Sequence, residues 1–187
     1  MITHSRADHT GFVKRLTRET GAPVFVHEAD RESLTRILQL PWWGLLSNAW
    51  RPYVCGMLWH ATLNGVFTMP RVLKPRTFKH GDVLEVPGRP RVIHTPGHTP
   101  GEVSLLLTES KILLTGDTLA TRNVMAGEDG PPQIMPPALT GDYVMAQKSL
   151  DQLRELGRVK LLPGHGPASE GDMEEVVEFA LNACRRS

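Results

Sequence analysis

Two cysteines in 187 residues are too few to staple a scaffold by disulfides. Cys55 lies in an aromatic stretch and Cys184 on the apolar side of a terminal helix, so a reduced pair is expected. An excess of charge of one sign is also lacking: 21 basic against 20 acidic residues leave a formal charge of +1. That balance makes no electrostatic case for nucleic acid or a membrane surface. Long apolar runs are missing as well. The most apolar region, Tyr53 to Met69, is interrupted by His60 and Asn64 and is too short and polar to span a bilayer. Met1-Ile2-Thr3-His4 has neither the basic start nor the apolar core of a secretion signal. The expectation is a soluble, cytoplasmic protein whose 40% apolar content buries a core in a single domain over residues 1–187.

What is present is a repeated punctuation. His4, Asp8 and His9 follow the short apolar Met1-Ile2 and precede Thr10-Gly11. His94-Thr95-Pro96-Gly97-His98-Thr99-Pro100-Gly101 follows Val92-Ile93 and sets a histidine between two Pro-Gly pairs. Ile112-Leu113-Leu114 ends in Thr115-Gly116-Asp117, and Val159-Lys160-Leu161-Leu162 ends in Pro163-Gly164-His165. Four times an apolar, strand-like run ends in His or Asp beside glycine or proline. Strand ends on one edge of a sheet are where α/β proteins bring donors together. Imidazole and carboxylate donors suit zinc, with iron or manganese as alternatives, and a shared carboxylate can bridge two ions about 3.5–4 Å apart.

These residues resemble the metallo-β-lactamase superfamily, whose pattern is H-x-H-x-D-H followed in order by a lone His, a lone Asp and a lone His. Thr3, the Gly97 to Gly101 turn, Gly116-Asp117-Thr118 and Pro163-Gly164-His165-Gly166 match as well, so the resemblance runs from the first residues to about Pro167. It implies an αβ/βα sandwich. It also implies one ion held by His4, His98 and Asp117, and a second held by Asp8, His9, Asp117 and His165. The activity implied is attack of a metal-held hydroxide on an ester, thioester or lactone, with Asp8 ligating and orienting the water or accepting its proton. The partner is then a small-molecule substrate.

Arg6 stands where the pattern has its second histidine. A guanidinium has no lone pair to offer a cation. Three readings stay open: one ion in the second position, with Arg6 supplying a fixed charge to polarise a substrate oxygen; Arg6 turned away, with a weak first position; or a degenerate, non-catalytic relative that keeps the fold and at most one ion. The family also places several strands before its first motif, where this sequence has Met1, Ile2 and Thr3. The expectation is an N-terminally truncated first sheet whose exposed apolar face favours association, including homo-oligomers.

Periodicity supplies the remaining elements. It predicts a helix from about Gly11 to Glu19 with Phe12, Val13 and Leu16 inward, a strand at Val24 to Val26, and a helix at Asp30 to Leu38 with Leu34, Ile37 and Leu38 inward. An irregular, aromatic-rich insertion is expected from about Pro41 to Lys79, carrying Trp42, Trp43, Trp50 and Trp59, either near the site or packed as a flap over the core. A helix is predicted from Thr140 to Leu156. Ser169 to Asp172 reads as a capping box for a last helix with Met173, Val176, Val177, Ala180, Leu181 and Cys184 on its apolar side. Gly127 to Pro137 reads as a mobile loop. His94 is read as structural or as a support for a ligand, while His27, His60 and His80 show no partners in the sequence.

Overall fold

The computed structural model describes residues 1–35, 44, 47–63 and 74–184. Its centre is a five-stranded mixed sheet of β3 (Arg91–His94), β4 (Val103–Leu107), β5 (Ile112–Gly116), β8 (Arg158–Pro163) and β9 (Ser169–Asp172), in that order. Only β5 and β8 run parallel; the other neighbours are antiparallel. Beside it lie the parallel pair β1 (Phe25–His27) and β2 (Arg76–Phe78) and the hairpin β6 (Ala120–Asn123) with β7 (Glu128–Gln133).

Alternation along the strands sorts side chains onto two faces. Ile93, Leu106, Leu113, Val159 and Leu161 form one core with Leu150, Leu153, Met173, Val177 and Ala180, which come from the helices covering that face. Val92, Val103 and Leu105 point the other way and pack with Phe78 and Phe25 of the small parallel sheet. Beyond that sheet, Val13 of α2 (Val13–Thr20) and Leu34 of α3 (Arg31–Thr35) close a further layer over Ile2, Val24 and Val26. Helix, sheet, sheet, helix is the layering expected of an αβ/βα sandwich.

Several local expectations need correction. In α2 only Val13 is buried, whereas Phe12 and Leu16 are exposed, because the sheet beneath takes up one turn of so short a helix. Leu34 is buried as predicted, and Ile37 and Leu38 lie outside the described residues. The insertion is not irregular throughout: Pro52–Leu63 forms a twelve-residue helix, α4. Trp50 and Trp59 are exposed rather than packed as a flap, and Trp42 and Trp43 lie outside the described residues. Residues Ser169–Asp172 extend the sheet as β9, since the β8 backbone otherwise faces an open edge, and the cap of α6 (Met173–Cys184) passes to Asp172, whose Oδ1 accepts from the Glu174 amide. Most of the Gly127 to Pro137 stretch is β7, which tolerates Pro131 and Pro132 because it pairs irregularly with β6 alone. The Thr140 to Leu156 helix begins at Tyr143 behind an Asp142 cap as α5 (Tyr143–Ser149), and tightens into a 3-10 turn over Leu150–Leu156.

Leu113 is fully buried on β5 and lies opposite Leu161 across the parallel pair. Leu113→Ala is expected to destabilise the chain by about 2–5 kcal/mol through lost transfer energy and an unfilled cavity, read as a lowered midpoint in urea unfolding at unchanged slope.

Candidate metal centre

The donors of the sequence motifs come together because their strands end at the same edge. The first segment is threaded between the two sheets, with the Ile2 amide on the Phe25 carbonyl and the Val103 amide on the Thr3 carbonyl, which delivers His4 beyond the strand ends. The β5 and β8 strands run parallel and finish together, the Gly164 amide donating to the Gly116 carbonyl, so that Asp117 and His165 emerge side by side. Gly116 holds φ +53, and a Cβ there would strike Glu102 and Thr3; a Cβ on Gly164 would meet Asp117 and His9. Neither position has room for a side chain.

Asp117, 2% exposed, is the hub. His9 Nε2 lies 3.3 Å from its Oδ1, while His98 Nε2 (3.3 Å), His165 Nε2 (3.4 Å) and His4 Nε2 (3.9 Å) surround its Oδ2. Asp8, half exposed, brings Oδ2 to 3.2 Å from His165 Nε2. Two donor groups result: Asp8, His9, Asp117 and His165 in one, and His4, His98 and Glu102 in the other. All six ligand candidates from the sequence thus gather around Asp117, in two groups that meet there. Arg6 is next to them but otherwise engaged: its Nη2 donates to the carbonyls of Leu139 (2.8 Å) and His98 (3.3 Å), fixing the guanidinium against the turn at Pro137–Leu139.

The electrostatics suit a cation. Burial drives the His4 pKa down to about 4 and that of His98 down to about 3, so both rings are neutral and keep a lone pair. Burial opposes ionisation of Asp117 too, but the adjacent His165 and His9 hold it well below the usual carboxylate range. Burial likewise works against charge on His165, which its contacts with Asp117 and Asp8 overcome, raising it to about 10; the same His165 contact and the His9 charge bring Asp8 down to about 2 against burial. His4 Nε2, His98 Nε2 and Asp117 Oδ1 are buried with no hydrogen-bond partner. Orphaned acceptors of this kind are costly unless something positive meets them. The neutral His4 and His98 imidazoles and the Asp8 and Asp117 carboxylates fit a divalent ion of the zinc, iron or manganese type, which would take the place of the proton on His165.

Two supporting residues escaped sequence reasoning. Glu102, fully buried, places Oε2 3.0 Å from His4 Nδ1 and accepts the Asp117 amide on Oε1, so it orients one ligand from each side of the hub. Burial beside Asp117 pushes its own pKa well up. Its only signal was a charge opening a buried strand. Asp30, expected only to start a helix, is buried and accepts from the Ser5 amide (2.9 Å), the Thr99 hydroxyl (2.7 Å) and the Gly101 amide (2.7 Å). It ties the His4 and His98 turns together. His94 is structural, stacking on His27 at 3.9 Å and bonding the Pro100 carbonyl through Nε2, while His80 Nδ1 accepts the His94 amide; His27 and His80 therefore do have partners. His60 faces the cavity above the donors.

That cavity holds about 890 Å³ and has Asp8, His98, Asp117 and His165 on its floor. Its size falls in the range of small-molecule sites, roughly 300–1,000 Å³.

Comparison with known proteins agrees with this architecture. The family model of the metallo-β-lactamase superfamily matches residues 1–165. The acyl-coenzyme A thioesterase MBLAC2 of Gallus gallus is 30% identical over 169 residues, which cover 88% of this chain and 55% of the relative, so the chain spans about half the length of that protein. Among solved structures, the metallo-β-lactamase family protein TTHA1429 of Thermus thermophilus is similar with a TM-score of 0.65 and 25% identity over 98% of this chain and 59% of its own. TTHA1623, solved in a di-iron-bound form, has a TM-score of 0.53 and 25% identity over 97% of this chain and 72% of its own.

Glu102→Gln keeps the shape and replaces the carboxyl group behind His4 with an amide. It is expected to lower zinc affinity about 10–100-fold, measured by competition with a chromogenic chelator; unchanged affinity would remove Glu102 from the centre.

Proposed function

The chain belongs to the metallo-β-lactamase superfamily, and on that premise we propose that it is a metal-dependent hydrolase of acyl esters, with thioesters as the foremost class and lactones as a related one. The observation that carries this reading is the clustering of His4, Asp8, His9, His98, Asp117 and His165, four of which (Asp8, His98, Asp117 and His165) line a substrate-sized cavity. The relative named as an acyl-coenzyme A thioesterase supports the thioester among the hydrolysable acyl groups.

Asp117 reaches both donor groups and is the natural shared ligand between a four-donor position with Asp8, His9 and His165 and a second position with His4 and His98. An ion bound there supplies water activation at neutral pH and Lewis acidity toward the acyl oxygen. The chain's own groups do the rest. Asp8, exposed on the cavity side, orients the attacking water and accepts its proton at Oδ2. Water adds to the acyl carbon, the bond to sulfur or oxygen breaks, and the proton passes to the departing group. Arg6, held rigidly at the cavity wall, presents a permanent positive charge toward an anionic substrate oxygen.

The two positions are unequal, because Arg6 replaces a ligand in one of them. The wild-type chain is expected to hold close to one ion per molecule. Arg6→His is expected to raise the content toward two while costing about 1–3 kcal/mol from the lost bonds to Leu139 and His98, both read by elemental analysis and thermal unfolding of the same preparation. A content that stays at one would show that the first position is not limited by its missing ligand.

For activity, the full chain is assayed against a panel of acyl-CoA thioesters and lactones beside Asp117→Ala. Loss of the shared ligand is expected to reduce both retained metal and turnover by about 100-fold or more. Wild-type protein with only trace metal, or hydrolysis that survives in the variant, would instead favour a non-catalytic relative.

A further inference from the structure

Activation of water uses only the floor of the cavity. One wall is α4: residues 52, 53, 56, 57, 60 and 61 line the space at the spacing of one helical face, and Leu58 joins them from beside it. Across from it stand Val124, Met135 and Leu139. Tyr53 is held in place by Gly127, whose missing Cβ lets the ring pack directly on the turn between β6 and β7. Among the described residues the walls are thus mainly hydrocarbon and aromatic, with His60 of α4, Arg6 and Arg122 as polar exceptions and the remaining polar groups at the floor. A polar ring would leave its hydrogen-bonding groups unmatched against such walls, whereas methylenes lose nothing there.

Gly56 stands in the middle of that helical face. A Cβ built on it meets nothing within 4 Å, and its backbone is helical. Glycine in a helix interior is unfavourable to the helix, and here no close contact demands it. Gly56 is exposed and lines the cavity, so a side chain there would enter open space.

We propose that the wall formed by α4, Val124, Met135 and Leu139 is a subsite for the hydrocarbon tail of an acyl group, and that Gly56 leaves the room that admits long chains. The proposal rests on the reading of the protein as a thioester hydrolase and narrows it to fatty acyl substrates. Each methylene carried into such a site strengthens binding about fourfold.

The test uses the full chain with acyl-CoA substrates from acetyl to palmitoyl, and a dansyl-labelled undecanoic acid as a probe that binds without being hydrolysed. In the wild type, kcat/KM is expected to rise about fourfold per methylene over the middle of the series. Gly56→Leu projects into the lumen without backbone strain. It is expected to reduce the ratio of palmitoyl to butyryl kcat/KM about tenfold or more, mainly through KM, the equivalent of two displaced methylenes, and to weaken the probe in parallel. Trp59→Ala, on the same helix but outside the cavity lining, is expected to leave that ratio where it was, which separates filling of the lumen from disturbance of the helix. Hydrolysis without chain-length preference, or a Gly56→Leu ratio and probe affinity equal to those of the wild type, would overturn the subsite and leave the hydrolase standing. Probe binding that Gly56→Leu weakens, in a protein that cleaves no thioester, would keep the subsite and overturn the hydrolase.

Discussion

A carboxylate buried among four imidazoles constrains everything around it. Asp117 cannot sit ionised at 2% exposure unless opposite charge or hydrogen-bond donors reach both of its oxygens. His9 and His165 do so from two separate segments, and His4 and His98 complete the shell from two more. The parallel β5–β8 pair, the Gly116 and Gly164 contacts and the threading of the first residues between the sheets all serve to bring those segments to one point. Burial also keeps His4 and His98 neutral, so the same desolvation that makes the centre costly leaves its nitrogens available as ligands.

The two halves of that centre are built differently. Asp8, His9, Asp117 and His165 form a complete four-donor set open to the cavity, whereas the inner half consists of His4, His98 and the shared Asp117, backed by Glu102. Arg6 accounts for the difference, and its charge is committed to backbone carbonyls on the cavity wall. A position that would otherwise add a ligand here adds a rigid cation beside the cavity. The chain therefore combines a floor of candidate metal donors with a mainly apolar wall, and the division between them follows the division between strand ends and helix α4.

Elements with strong periodicity were legible in advance: β5 and the apolar stripe of α6 lie where the apolar run and helical spacing predict them. Ser169 to Asp172 misled, because a run that could cap a helix was needed more by the open edge of β8. The helix at Pro52–Leu63 was hidden for a different reason: apolar residues on nearly every side leave no amphipathic period to detect. Asp30 and Glu102 were illegible as site residues, since nothing in the spacing of either marks it as tied to donors far away in the chain.

The sequence by itself determined the family, the kinds of donor atom and the presence of an arginine among them, because short motifs at strand ends carry their chemistry in residue type and local order. Only the tertiary structure decided which donors share a position, where the Arg6 charge points and what lines the space above the metal-binding floor. Those depend on long-range contacts: Asp30 bridging two turns, Leu139 capturing Arg6, and α4 facing Val124 and Met135. Contacts of that kind are fixed by packing between segments distant in the chain, and no local pattern records them.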